Sequence, residues 1–223
     1  MNYIIQNPRI IMDLLWDHLL ISAAALIISV LIALPVGVLI APRQRLASLV
    51  LGIFGIIYTI PSIALIIVLI PFFGLNARSV IVALIFYSQI ILVRNLVIAL
   101  RGIDPVLMEA ARGMGMDAWW RWRRVQFPLA LPVMLAGMRI AAVVTIAIAT
   151  IGAKFGAGGL GTLLFDGIAQ NRYDKILAGS ITVAVLALAL NKLLLELEKA
   201  LDPQTRLRRA ARSQPAVVSQ PHV

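Results

Sequence analysis

The sequence predicts an all-α fold, a polytopic bundle of five membrane-spanning helices, and three observations carry that expectation. The 223 residues are 61% hydrophobic and 13% charged, with a mean hydropathy of +0.95, outside the usual composition of soluble domains. Apolar stretches at 19–40, 46–73, 80–100, 129–151 and 176–195 match the ~20 residues that cross a hydrocarbon core as a helix. Lys and Arg, finally, gather after alternate stretches, as they do where positive charge collects in cytoplasmic loops.

The first stretch is longer than a signal-peptide core and follows Asp13 and Asp17 instead of a basic segment, so it is expected to be retained as a span. Arg43 and Arg45 follow it. The second stretch is too long for one straight helix, and Pro61 removes a backbone donor and crowds the preceding turn. A kink or break is expected there, serving either simple packing or the lining of a pathway. Thr59, Pro61 and Ser62 are the candidate pathway residues.

After the third stretch come Arg101, Arg112, Arg121, Arg123 and Arg124, and after the fifth Arg206, Arg208, Arg209 and Arg212. The alternate connections hold only Arg9, Arg78, Lys154, Arg172 and Lys175. The N-terminus is therefore expected outside and the C-terminus in the cytoplasm, in agreement with an odd number of spans. The net charge of +10 follows from this distribution and calls for no nucleic-acid partner. Residues 1–201 read as one transmembrane domain and 202–223, rich in Gln, Ser, Pro and Arg, as a disordered basic tail.

Gly156, Gly158 and Gly161 have the spacing of a dinucleotide-binding fingerprint but lack the preceding strand. With Gly159 they are expected to form a sharp turn at the outer end of the fourth span, beside the pathway exit.

The segment 101–128 reads as two short cytoplasmic helices. Asp104 suits an N-cap and Pro105 the first helical position; Gly113 and Gly115 supply a stop. Asp117 then caps a second helix through Trp119, Trp120 and Trp122, expected to end before Pro128. Alanines on the surface of this knob would admit a partner protein closely, while the basic and aromatic side chains anchor it at the interface.

Within it, Glu109, Ala110 and Ala111 are followed by Gly115, and then by Val125, Phe127 and Pro128. This spacing resembles the EAA loop of bacterial ATP-binding cassette importer permeases, with Val125 and Phe127 where isoleucine and leucine are usual. The runs TIPSIALIIVLIPFFGLN, LVRNLVIALRGIDPVLMEAARGMGM, GAGGLGTLLFDGI and ILAGSI are similar to permeases for glycine betaine, carnitine, choline and related osmoprotectants. The similarity runs from about Thr59 to Leu195. Methionine-importer permeases share the loop and the glycine-rich segment. Tyr58 and Lys154 depart from the osmoprotectant pattern, which has glutamine and an apolar residue there.

The resemblance implies a type I importer permease fold in the bacterial cytoplasmic (inner) membrane. It implies coupling through Glu109, Ala110, Ala111, Gly115 and Pro128 to an ABC ATPase in two copies. A second permease copy or homologue would complete the pathway, and an extracytoplasmic solute-binding protein would deliver the cargo. No GxxxxGK[ST] phosphate loop occurs, so ATP and Mg would belong to the partner ATPase, with no cofactor or catalytic residue in this chain.

Other residues offer less. Arg94 and Arg139 are expected to snorkel to the cytoplasmic interface, and Lys154 to be a solvated lysine near the outer mouth. His18 and His222 stand apart and cysteine is absent, so neither a metal site nor a hydrolytic dyad is expected. Phe54, Tyr58, Phe86 and Tyr87 are the aromatic residues at membrane depth and form no obvious cage for a quaternary ammonium, so cargo selection is expected to reside in the binding protein. An ion-coupled secondary transporter, the rival class, would show midplane coupling groups or repeated halves, and neither is visible.

Overall fold

The computed structural model describes residues 2–201, and among them every regular element is helical. The segment 202–223, expected to be a disordered tail, lies outside the described residues. In chain order the elements are α1 (Asn2–Gln6), α2 (Pro8–Ile40), α3 (Gln44–Thr59), α4 (Ser62–Phe73), α5 (Ala77–Arg101) and α6 (Pro105–Gly113). They continue with α7 (Ala118–Arg121), a π-helical turn (Trp122–Gln126), α8 (Phe127–Gly152), a 3₁₀ turn (Ala153–Phe155), α9 (Gly161–Ala169) and α10 (Tyr173–Leu201).

Among the described residues, four unbroken helical runs are long and apolar enough to cross a membrane: α2, α5, the run Ala118–Phe155 and α10. The pair α3 and α4, bent by 97° at their junction, makes a fifth if counted as one. Helix α2 starts at Pro8, well before the apolar stretch at 19, because Pro suits a helix start where no N–H is needed. Its 33 residues extend roughly 50 Å at 1.5 Å each, beyond the ~30 Å of a hydrocarbon core.

The centre of the bundle is α5, which packs against α2, α3, α4 and α8. Ala25, Ser29, Ala33 and Gly37 recur every fourth residue of α2, so they share one face. All four are buried, and Gly37 lies so close to Leu96 that a Cβ there would stand 2.4 Å from its Cδ2. Small residues of this kind let helix backbones approach where lipid supplies no hydrophobic drive. Polar ties cross the same contacts: Gln89 Nε2 donates to the Ser29 carbonyl at 3.3 Å and the Ser88 and Thr145 hydroxyls are 3.3 Å apart. Such interhelical bonds are worth on average about 0.6 kcal/mol in membranes.

Two ends follow from the connections. At one, Arg101 Nε donates to the Ala41 carbonyl at 2.8 Å and its guanidinium also bonds Gln44, joining the α2–α3 connection to the end of α5. At the other, Gly156 approaches the Leu75 carbonyl, to which a Cβ would stand at 2.9 Å. Against α8 and α9 lies α10, where Arg139 Nε stands 3.4 Å from Glu198 Oε2. Arg139 is thus held by a helix-to-helix ion pair instead of snorkelling alone, because a half-buried carboxylate 59 positions away offers it a counter-charge. Arg94 is exposed.

Candidate functional site

The 104–128 segment is shaped by three local devices. Asp104 Oδ1 accepts from Val106 N–H at 2.9 Å, and Pro105 opens α6. This carboxylate satisfies one of the donors that a helix start leaves free. At the far end the Gly115 N–H donates to the Arg112 carbonyl at 2.9 Å and the Met116 N–H to the Ala111 carbonyl at 3.2 Å. Those two bonds make a Schellman motif with Gly115 at its left-handed position, and its φ is +75°. Open space surrounds Gly115, so backbone conformation and not crowding demands glycine here. Asp117 Oδ1 then accepts from Trp120 N–H at 2.7 Å to start α7, while Arg121 ties back to the Met116 carbonyl at 2.7 Å.

The second helix does not end before Pro128. At Trp122–Gln126 the helix widens to a π turn, and Phe127 N–H donates to Trp122 O, five residues back. Widening the turn ahead of Pro128 relieves the clash that its ring would make with the carbonyl four residues earlier, in a position where the missing N–H is tolerated. The helix therefore runs without a break from Ala118 to Phe155, so that α7 and the membrane-spanning α8 belong to one continuous run.

The five residues of the loop pattern separate by position. Glu109 and Ala110 are exposed on α6. Ala111 is buried at 1% exposure and supports the turn, so it is not the surface alanine that the sequence led us to expect. Gly115 makes the reversal, and Pro128 is half-buried at the helix join. Around Glu109 and Ala110 lie exposed Val106, Leu107 and Met114, an apolar rim of the kind that marks a protein contact. Trp119 and Trp120 are also exposed, and Arg124 lies over the Trp120 ring at 5.2 Å.

The second candidate region is the junction of α3 and α4. Pro61 pushes the residue before it out of the helical region, and Ile60 is extended with φ −66° and ψ 128°. The freed groups find partners: the Tyr87 hydroxyl donates to the Ile60 carbonyl, Thr59 Oγ1 donates to the Ile56 carbonyl at 2.7 Å, and the Pro61 carbonyl accepts from Leu65 N–H at 3.0 Å. Thr59 and Pro61 are exposed, whereas Ser62 is half-buried. The sequence left a kink and a break as alternatives; the helix is broken, with α3 and α4 bent by 97°.

The glycine-rich segment reverses the chain between α8 and α9. Gly156, Gly158 and Gly159 have φ of +77°, +79° and +79°, values that L side chains rarely adopt, and Gly161 opens α9. Gly159 packs on His18 of α2, where a Cβ would stand 2.9 Å from Nδ1. His18 is fully buried and so holds this turn against the bundle, a packing role that its place at the edge of an apolar stretch did not reveal. Lys154 is exposed and lies 5.8 Å over the Phe165 ring.

Comparison with known proteins assigns the family. Residues 30–207 match the model of the binding-protein-dependent transport system inner membrane component. The chain is 40% identical to the carnitine transport permease protein OpuCB of Listeria monocytogenes over 189 residues, 85% of this chain and 87% of that one. It is 38% identical to the choline transport system permease protein OpuBD of Bacillus subtilis over 213 residues, 95% of this chain and 94% of that one. Among solved structures it is similar to the MetNI methionine ABC transporter in an inward-facing conformation, with 26% identity, a TM-score of 0.75 and coverage of 83% of this chain and 93% of that one. An exposed, capped helix between spans, a broken apolar helix and a match across most of the chain converge: this protein belongs to the binding-protein-dependent transport permeases, the membrane subunits of ABC importers.

Proposed function

We propose that this chain forms half of the transmembrane pathway for a small quaternary-amine osmoprotectant, such as glycine betaine, choline or carnitine. A separate ATPase powers it through the 104–128 segment. The observation that carries the coupling is the exposed Glu109 and Ala110 face, held by the Gly115 turn and joined through the π turn to α8. The cargo reading is supported by the carnitine and choline permeases at about 40% identity together with the exposed backbone break at Thr59–Pro61.

In this reading the 104–128 segment faces the cytoplasm and the N-terminus lies outside. Two ATPase copies, carrying ATP and Mg, close and separate beneath two permease copies or homologues. A solute-binding protein docks at the end bearing the Gly156–Gly161 turn. Glu109 and Ala110 make the contact, Ala111 and Gly115 shape it, and Pro128 stands at the join that carries it into α8. Thr59, Pro61 and Ser62 border the pathway.

The test is uptake by vesicles holding the permease, its ATPase and its binding protein. Radiolabelled choline, carnitine or glycine betaine should accumulate only with ATP on the side of the ATPase, and no ion gradient should replace it. Uptake driven by an ion gradient without ATP would overturn the coupling, and uptake of methionine in place of all three would overturn the cargo. Reporter fusions at Gly74 and Gln126 should report outside and inside respectively; matching sides would overturn the orientation.

A further inference from the structure

The cargo proposed above carries a permanent positive charge, yet residues 19–103 contain no Asp or Glu at all, and α8 contains none. Asp13 and Asp17 lie before this stretch, near the start of α2, so a cation passing residues 19–103 and α8 meets no carboxylate from those segments. What remains to attract it are backbone carbonyls and the negative faces of aromatic rings.

One ring is placed for that task. Tyr58 lies two residues before the extended Ile60, on the last turn of α3. It is 41% exposed, against 5% for Tyr87. The two rings meet edge to face, with centroids 5.5 Å apart and planes inclined at 66°. The tasks of the pair are unequal. Tyr87 is buried and spends its hydroxyl on the Ile60 carbonyl, so it closes the break and props Tyr58, while Tyr58 presents its surface outward.

Which way is outward follows from the backbone. The 16 residues of α3 and the 12 of α4 extend roughly 24 and 18 Å, each too short to cross a ~30 Å core alone. Their junction thus falls inside the membrane. Irregular backbone at that depth faces protein or a water-filled space and not lipid, and Tyr58, Thr59, Ile60 and Pro61 are all exposed on this chain. In the reading proposed above, that side borders the pathway.

We propose that Tyr58 is a cation–π contact for the quaternary ammonium group in transit, with Tyr87 as the positioning residue that holds the ring at the helix break. A quaternary ammonium spreads its charge over methyl groups and is drawn to a ring face. A single exposed ring binds it weakly, which suits a passage that must also release. The inference rests on the osmoprotectant reading.

The experiment uses the whole importer in vesicles and measures ATP-driven uptake of radiolabelled choline, carnitine and glycine betaine at saturating binding protein. Tyr58→Phe keeps the ring face and should retain most of the rate. Tyr58→Leu should lower the maximal rate about threefold to thirtyfold, the range expected for losing one cation–π contact. Progressively fluorinated phenylalanines at position 58, which weaken the face without changing the ring's shape, should lower the rate stepwise. Phe72→Leu, an exposed position at the far end of α4, should leave it unchanged. Tyr87→Phe should lower the rate while assembly persists.

A Tyr58→Leu importer at the wild-type rate, a Tyr58→Phe importer as slow as Tyr58→Leu, or a flat fluorination series would each overturn the proposal. So would loss of permease pairing in Tyr58→Leu, which would assign the ring to a subunit contact. If the wild-type importer moves none of the three cargoes, the cargo reading fails and this inference falls with it; normal wild-type uptake with a flat series overturns the role of Tyr58 alone.

Discussion

Pro61 and Pro128 each interrupt a long helical run, and the chain answers them in opposite ways. At Pro61 the helix stops, turns through 97° and starts again. At Pro128 it widens for one turn and continues into α8. The difference lies in where the displaced carbonyls find partners. Beside Pro61 a long-range donor, the Tyr87 hydroxyl, takes the Ile60 carbonyl, so the break is stabilised from another helix. Beside Pro128 the chain solves the problem locally by shifting register at Trp122–Gln126. A proline marks where an apolar run needs attention; its neighbours decide whether the helix stops and turns or continues.

The largest effect is expected at the turn that holds the exposed face of α6. Gly115→Val forces a β-branched residue into a left-handed position, a strain of about 1–3 kcal/mol, while the spans stay intact. Co-purification of the ATPase and uptake per permease should both fall about tenfold or more, the equivalent of roughly 1.4 kcal/mol. Arg112→Gln, exposed on α6, alters the side-chain charge while leaving in place the backbone carbonyl that accepts from Gly115, and should fall far less. Equal losses would mean that loop charge and not the turn sets coupling.

Next in size is the break. Pro61→Ala restores a backbone donor and lets Ile60 become helical, so α3 and α4 can straighten. Uptake should fall about fivefold, corresponding to roughly 1 kcal/mol, with ATPase binding unchanged. A normal transport rate would reduce the break to a packing feature.

Pro128→Ala should have the smallest effect. The helix is already continuous there, so loss of the ring removes a steric demand that the π turn has absorbed. Melting temperature in detergent should move by no more than about 2 °C, less than a 1 kcal/mol change gives in a chain of this size, with uptake near normal. A large loss would show that Pro128 maintains the π turn and would bring the two prolines closer in kind than their backbones suggest.

Much of this was legible in the sequence for local reasons. Asp104 and Asp117 cap helices by reaching two or three residues along the chain, Pro105 opens the first of them, and the turn at Gly115 stops it through the bonds that Gly115 and Met116 donate to the Arg112 and Ala111 carbonyls. The burial of Ala111, the π turn before Pro128 and the Arg139–Glu198 pair were not legible. The first and last depend on what another segment supplies, the last across separate spanning helices, whereas the π turn is local and a proline marks only that the helix must yield there, not how.

The sequence by itself determined an all-helical membrane chain, because only helices satisfy every backbone group within an apolar run of this length. It also determined the capped, glycine-stopped connection and the family that this connection announces. Only the tertiary structure decided that α5 lies at the centre while α10 keeps little more than Ala178 and Gly179 buried. Their hydropathies, 2.1 and 1.9, are nearly equal, since lipid and a neighbouring helix are equally apolar and hydropathy cannot tell them apart. It decided too that His18 holds the Gly159 turn and that Tyr58 meets Tyr87 at the break. Side chains from different spans meet only when the bundle closes, and the contact energies that close it are not written in any one segment.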